Sequence, residues 1–196
     1  MNKGSASPKT ELAFIEAATR LFASKGYKAT SITDLSEALN LTTASLYYYV
    51  DGKQDLLARV LQEGMGDFLS RLQLIEESDD SPLEKVTRAV DNHLDFVLNN
   101  RDVVRIFGRY RQLLADEPRA HYQRELDRYE QLFTVILQQA MDAEVIARGD
   151  VALLRLSILG MINSTSEWFR QDGRLQLDEV KSKMTVLIVA RLLGAE

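Results

Sequence analysis

Residues Ser36 to Val50 read SEALNLTTASLYYYV. Just upstream and within it, Ile32, Leu35 and Leu39 fall at three- and four-residue spacing and mark one buried helix face. Asn40 follows, one of the few non-glycine residues that tolerates a left-handed backbone, and it predicts a tight turn. Thr42 then offers a hydroxyl N-cap to a second helix running to about Val50. Helix, tight turn, helix is the unit that lets a second helix enter the DNA major groove. On that helix Leu46, Tyr49 and Val50 share one arc, whereas Thr43, Ala44, Tyr47 and Tyr48 lie on the opposite one. Small side chains at its start allow close approach to base edges. Hydroxyls can donate to phosphates or bases, and the Ala and Thr methyls can meet thymine methyls.

Upstream, ELAFIEAATRLFASKG (residues 11–26) has Phe14, Ile15, Ala18, Leu21 and Phe22 at helical spacing and ends at Gly26. Thr30 or Ser31 caps the next helix, and Ser31 with Asp34 has the form of a capping box. Downstream, Asp51-Gly52 breaks the chain, and Asp51 with Gln54 can cap a helix starting near Lys53. There an ammonium joins the free N–H groups of a helix start, an arrangement suited to a phosphate. This fourth helix is long, with a bend expected at Gly64 and Gly66, and the acidic EESDDSP (residues 76–82) reads as a loop. Helical patterns follow at about 82–99, 101–115, 117–144, 150–171 and 177–193, and no stretch shows sustained strand alternation. The expected fold is all-α. A three-helix helix-turn-helix domain spans 1–52, a connecting helix spans 53–76, and a larger helical ligand-binding and dimerisation domain spans 77–196.

The 196 residues carry a formal net charge of −5, distributed unevenly: residues 1–53 balance at +1 and the remainder at −6. With no Cys there is no disulfide framework, thiolate nucleophile or thiolate metal site. No apolar stretch is long enough for a signal peptide or membrane span, so a cytoplasmic protein without a membrane partner is expected. The two histidines, His93 and His121, form no HExxH pair, and neither a Walker loop nor a GxGxxG motif is present. His93, near Asp91 and Asp95, reads as a solvated or capped residue. No catalytic residue, metal site or cofactor is therefore expected. The rival class is an all-helical small-molecule-binding enzyme or scaffold, which leaves the threonine–tyrosine–lysine face unexplained.

Residue order adds to this reading. AATRLFASKGYKATSITDLSEALNLTTASLYYYVDGKQDLL (residues 17–57) resembles the N-terminal domain of TetR-family transcriptional regulators, through Ala17, Ala18, Leu21, Phe22, Gly26, Thr30, Leu35-Ser36, Leu39-Asn40-Leu41-Thr42, Leu46, Tyr47 and Lys53. Asn40 stands where the family often has a turn Gly, Ala44 replaces a frequent Gly, and Tyr49-Val50 replaces a usual His-Phe pair. The resemblance implies an operator-binding homodimer, most often a repressor, released from DNA when a small molecule binds the C-terminal domain. DNA-contact candidates are then Thr30, Ser31, Thr42, Thr43, Ala44, Ser45, Tyr47, Tyr48, Tyr49 and Lys53.

In the body, VALLRLSILGMINSTSEW (residues 151–168) is apolar over most of its circumference, with Ser157, Gly160 and Ser164 on one stripe, and TVLIVARLLG (185–194) is nearly as apolar. The alternatives are a helix buried within one chain or a dimer face. The resemblance favours a four-helix bundle across a homodimer, contacted through Leu156, Ser157, Gly160, Met161, Ser164, Leu187, Ala190 and Leu193. Body aromatics read either as core or as the lining of an apolar pocket. Clustered arginines read either as a solvated face paired with Asp102, Glu125 and Asp127 or as an anion site. The ligand candidates are Phe96, Arg105, Phe107, Arg109, Tyr110, Tyr129, Phe133, Trp168 and Arg170. SEWFRQDGRLQLDEVKSKM (166–184) is similar to TetR-type regulators of fatty-acid and steroid breakdown, which implies an acyl-CoA or other lipophilic effector. A regulator of multidrug efflux is the alternative within the family.

Overall fold

The computed structural model describes residues 8–63 and 65–194. Its order is α1 (Pro8–Ser24), α2 (Ile32–Ala38), α3 (Thr43–Tyr49), α4 (Lys53–Glu63), α5 (Met65–Glu76), α6 (Pro82–Asn99), α7 (Arg101–Tyr110), a 3-10 turn (Arg111–Leu113), α8 (Asp116–Asp142), α9 (Val151–Trp168) and α10 (Leu177–Val186), which runs into a π-helical turn (Leu187–Leu192). No strand occurs among the described residues, as expected for an all-α chain. None of their helices is long and apolar enough to cross a membrane.

Contacts divide the chain into two units. The first joins residues 1–65 with 102–123; the second joins 66–101 with 124–196.

In the first unit α1 packs on α2 and α4, and α2 packs on α3. Phe14, Ala18 and Phe22 recur every four residues along α1 and are buried with Leu35, Leu46, Val50, Leu57 and Val60. The turn between α2 and α3 forms as its residues dictate. Asn40 has φ 55°, Leu41 N–H donates to Ser36 C=O at 2.9 Å, and Asn40 N–H donates to Glu37 C=O at 3.1 Å. This paired bonding satisfies the last carbonyls of α2 and needs a left-handed residue at position 40. Asn40→Gly is expected to keep stability within a few tenths of a kcal/mol, while Asn40→Val costs about 1–2 kcal/mol in urea denaturation.

Capping follows the local sequence with one correction. Ser31 and Asp34 form the capping box of α2, and Thr42 Oγ1 accepts from Ser45 N–H to cap α3. At α4, however, it is Asp55 that reaches back, accepting from Asp51 N–H at 2.9 Å, while Gln54 is drawn away to Leu113 C=O. A carboxylate in the first turn is favoured there by the helix dipole as well as by the hydrogen bond. Residues 53–76, expected as one helix bent at Gly64 and Gly66, are helical over α4 and α5, and Gly64 lies outside the described residues. Residues 102–123 also belong to the first unit: Tyr110 packs its ring 5.7 Å from that of Tyr27, and Phe107 lies 4.8 Å from Tyr122.

In the second unit α6 packs against α9 and α10. A capping box at Ser81 and Glu84 starts α6, and Asp150 caps α9 by accepting from Ala152 and Leu153 N–H. The centre is aromatic: Phe68 stacks between Phe96 at 4.3 Å and Tyr129 at 4.1 Å, with Phe133 next to Tyr129.

Candidate nucleic-acid interface

Helix α3 has only two turns, too short to be stable alone, so its neighbours fix it in place. Leu46 and Val50 are fully buried and supply the hydrophobic anchor. Ser36 Oγ, itself buried, lies 3.5 Å from Thr43 Oγ1 and links α2 to the start of α3. The opposite arc is open: Tyr47 is 50% and Tyr48 55% exposed, and Thr42, Thr43, Ala44 and Ser45 are exposed beside them. Tyr49 is half-buried, its ring 5.4 Å from Phe14 and edge-on to Tyr48 at 5.1 Å. Two of the three consecutive tyrosines thus face out, and the third is held against α1.

Ser31 is exposed at the start of α2, where its N–H and hydroxyl both donate to Asp34. Lys25 reaches the same carboxylate at 2.7 Å, and together these donors hold Asp34 far below the usual carboxylate range.

Two of the expected DNA contacts have other partners. Thr30 is 1% exposed and turns inward, its hydroxyl donating to Gly26 C=O at 2.9 Å; burial of a polar group requires such a partner. It is therefore a core residue of the turn rather than a surface cap. Lys53 is half-buried, donates to Thr30 C=O at 2.8 Å and to Lys28 C=O at 3.3 Å, and sits 4.5 Å over the Tyr27 ring. Its ammonium ties α4 to the loop before α2, a task that its place in the sequence does not announce.

Arg59, absent from the sequence-based candidates, is the hub of this unit. It donates in parallel to both Asp55 oxygens at 3.0 and 2.9 Å, to Glu11 at 3.2 Å and to Tyr49 C=O at 3.2 Å. The Asp55–Arg59 pair at four-residue spacing is legible in the sequence; its reach to α1 and α3 is not.

The ligand candidates fall in both units. Arg105, Phe107, Arg109 and Tyr110 belong to the first; Phe96, Tyr129, Phe133, Trp168 and Arg170 belong to the second. Phe96, Tyr129 and Phe133 share the aromatic centre. Trp168 is exposed, and Arg170 at the surface grips Asp172 with two bonds of 3.0 Å. Arg105 lies 4.0 Å from Asp102, Arg109 is exposed, Arg101 sits over the Phe169 ring and Arg111 over the Phe107 ring.

His93 also departs from expectation. It is buried, not solvated, because position 93 lies on the inner face of α6 with Val86, Ala89, Val90 and Val97. Its Nδ1 lies 2.9 Å from Tyr129 Oη and its Nε2 3.0 Å from Asn163 Oδ1. With Asn163 Oδ1 accepting, neutral His93 carries its hydrogen on Nε2, and Nδ1 accepts from the Tyr129 hydroxyl. Burial pushes His93 down to about 4, against an ordinary value of 6.5. Between those values the unfolded chain takes up a proton that the folded chain refuses, so this group keeps its full stability above about pH 6.5 and loses it as pH falls toward 4. The loss is on the order of 3 kcal/mol. His93→Gln is expected to flatten that segment of the profile when urea midpoints are compared between pH 7 and 4.5. An unchanged slope would show that another group titrates.

On α9 the stripe predicted for dimerisation faces outward. Leu156 is 57% exposed, Ser157, Gly160 and Ser164 are exposed, and a Cβ added at Gly160 would meet nothing within 4 Å. Leu153, Val186 and Leu187 extend the apolar surface, with Ala190 exposed and Met161 half-buried. Leu193 departs from the set. It is 1% exposed, and its backbone C=O accepts from Ala147 N–H at 2.9 Å, so it closes the chain's own core.

The geometry now has counterparts. Residues 14–60 match the family model for bacterial regulatory proteins of the tetR family, and residues 79–192 match that for the tetracyclin repressor-like C-terminal domain. The HTH-type transcriptional repressor KstR2 of Mycolicibacterium smegmatis is 24% identical, over 94% of this chain and 90% of its own. The TetR family transcriptional regulator PfmR of Thermus thermophilus superposes with a TM-score of 0.82 at 30% identity, covering 90% of this chain and 96% of that one. AibR, solved in complex with isovaleryl coenzyme A and operator DNA, shares the fold with a TM-score of 0.82 at 24% identity, over 95% of this chain and 99% of its own. With a two-turn helix set behind a left-handed turn, and with both of its parts matched, the chain belongs to the TetR family of bacterial regulatory proteins.

Proposed function

We propose that this TetR-family chain is a cytoplasmic, ligand-responsive transcriptional repressor with no catalytic role, binding its operator as a homodimer. The observation that carries the reading is the open arc of α3, where Thr43, Ala44, Tyr47 and Tyr48 face outward from a helix anchored by buried Leu46 and Val50. One such helix touches few bases, and two-fold pairing with half-sites about 34–36 Å apart supplies the remaining affinity. The exposed apolar stripe on α9, with Val186 and Leu187, supports that pairing. The effector we propose is an acyl-CoA or another lipophilic small molecule, held by the C-terminal domain. What supports that class is AibR, which shares the fold and was solved in complex with isovaleryl coenzyme A and operator DNA. A ligand that binds better to a form whose heads no longer match the half-site spacing lowers operator affinity by population shift. The test is mass spectrometry of small molecules retained by the purified protein, followed by operator-release assays with those found and with a series of acyl-CoA thioesters. Release at micromolar effector is expected. If none of these compounds changes DNA binding, the sensor half of the reading fails.

A further inference from the structure

We propose that Arg59 is a positioning residue for DNA reading: held by Asp55, it clamps the C-terminal end of α3 and so sets the angle at which the open arc is presented. The proposal rests on α3 being the recognition helix. Tyr49 is the last residue of α3, and its C=O belongs to the set that a helix leaves unpaired at its C-terminus. Arg59 Nη2 donates to it at 3.2 Å, bringing a cation to the negative end of the helix dipole. The same nitrogen donates to Asp55 at 2.9 Å while Nε donates to the other Asp55 oxygen at 3.0 Å, so the planar fork cannot swivel. Nη1 reaches Glu11 on α1 at 3.2 Å. One guanidinium therefore joins the three helices α1, α3 and α4.

The opposite end of α3 is secured separately by the Asn40 turn and the Thr42 cap, so Arg59 governs tilt more than existence. A displacement of α3 by a fraction of an ångström spoils base contacts yet leaves non-specific attraction to phosphates intact. Lysine retains the charge but has one nitrogen in place of three, so it cannot reproduce the parallel pair of bonds to Asp55 that fixes the plane of the fork.

The test uses the full-length dimer. Wild type first selects its preferred sequence from random duplexes. Arg59→Lys, Asp55→Asn and the double variant are then titrated on that sequence and on a scrambled duplex over a range of salt. Each single variant is expected to lose about tenfold on the selected sequence. Binding to the scrambled duplex and the slope of log affinity against log salt should stay at wild-type values, and the double variant should lose no more than the worse single one. Thermal melting identifies a variant that has merely unfolded; Asp55→Asn reports on the clamp independently of Arg59→Lys. Wild-type affinity in both singles overturns the clamp alone. So does an Arg59→Lys loss shared equally by scrambled DNA, which would make Arg59 a phosphate contact. A wild-type chain that selects no sequence overturns the recognition-helix reading and this proposal with it.

Discussion

Replacing Tyr47 and Tyr48 together by alanine is expected to reduce operator affinity by roughly 100-fold or more and to leave the fold intact. Both residues stand on the open arc of α3; with that arc proposed to meet DNA in each subunit, the expected loss is four hydroxyl contacts per dimer, each worth about 1 kcal/mol in net terms. The fold should tolerate the change because both rings are about half-exposed and the anchoring is done by Leu46 and Val50. Tyr49→Ala is the internal contrast. Its ring packs on Phe14, so this variant is expected to lower thermal stability, with its effect on DNA following through the loosened helix. If Tyr47 and Tyr48 can be removed at no cost in operator affinity, the face assigned to DNA is the wrong one.

The second large effect is expected at the other end of the chain. Leu156→Arg places a charge in the middle of the outward stripe of α9. A single chain should accept it, because Leu156 is already more than half-exposed. A dimer packed on that stripe should not, since an unpaired charge would be buried against apolar side chains. Sedimentation is expected to show a folded monomer. Operator affinity should fall by roughly 10²- to 10⁴-fold, because one head then binds without the effective concentration supplied by its partner. A Leu156→Arg protein that remains dimeric and binds normally would move the dimer contact to another surface.

What could be read from the sequence was the local part. Asn40, Thr42, and Ser31 with Asp34 act within a few residues of themselves, so turn and cap chemistry is printed in their order. Helical spacing likewise tells Leu46 and Val50 from Tyr47 and Tyr48. What could not be read depends on residues brought together from far apart. Lys53 spends its ammonium on carbonyls at 28 and 30, and Arg59 binds Glu11, 48 positions earlier. Thr30 turns inward because Gly26 C=O is there to receive it. For His93 the sequence does hold a signal: it recurs with Val86, Ala89, Val90 and Val97 on the inner face of α6, and that spacing outweighs the neighbouring carboxylates. Its partners, Tyr129 and Asn163, are 36 and 70 residues away and leave no trace in a one-dimensional pattern. The ligand candidates share residue types, and type does not show that residues 102–123 belong with the N-terminal helices while the aromatic stack belongs to the second unit.

The claim that the open face of α3 reads DNA sequence is tested most directly by in vitro selection from random duplexes, run in parallel with the wild-type protein and the Tyr47→Ala, Tyr48→Ala variant. The expected result is enrichment by the wild type of a two-fold symmetric motif, its half-sites about one helical turn apart, with that enrichment lost in the variant. No enriched motif with the wild type, or the same motif recovered equally well by the variant, would contradict it.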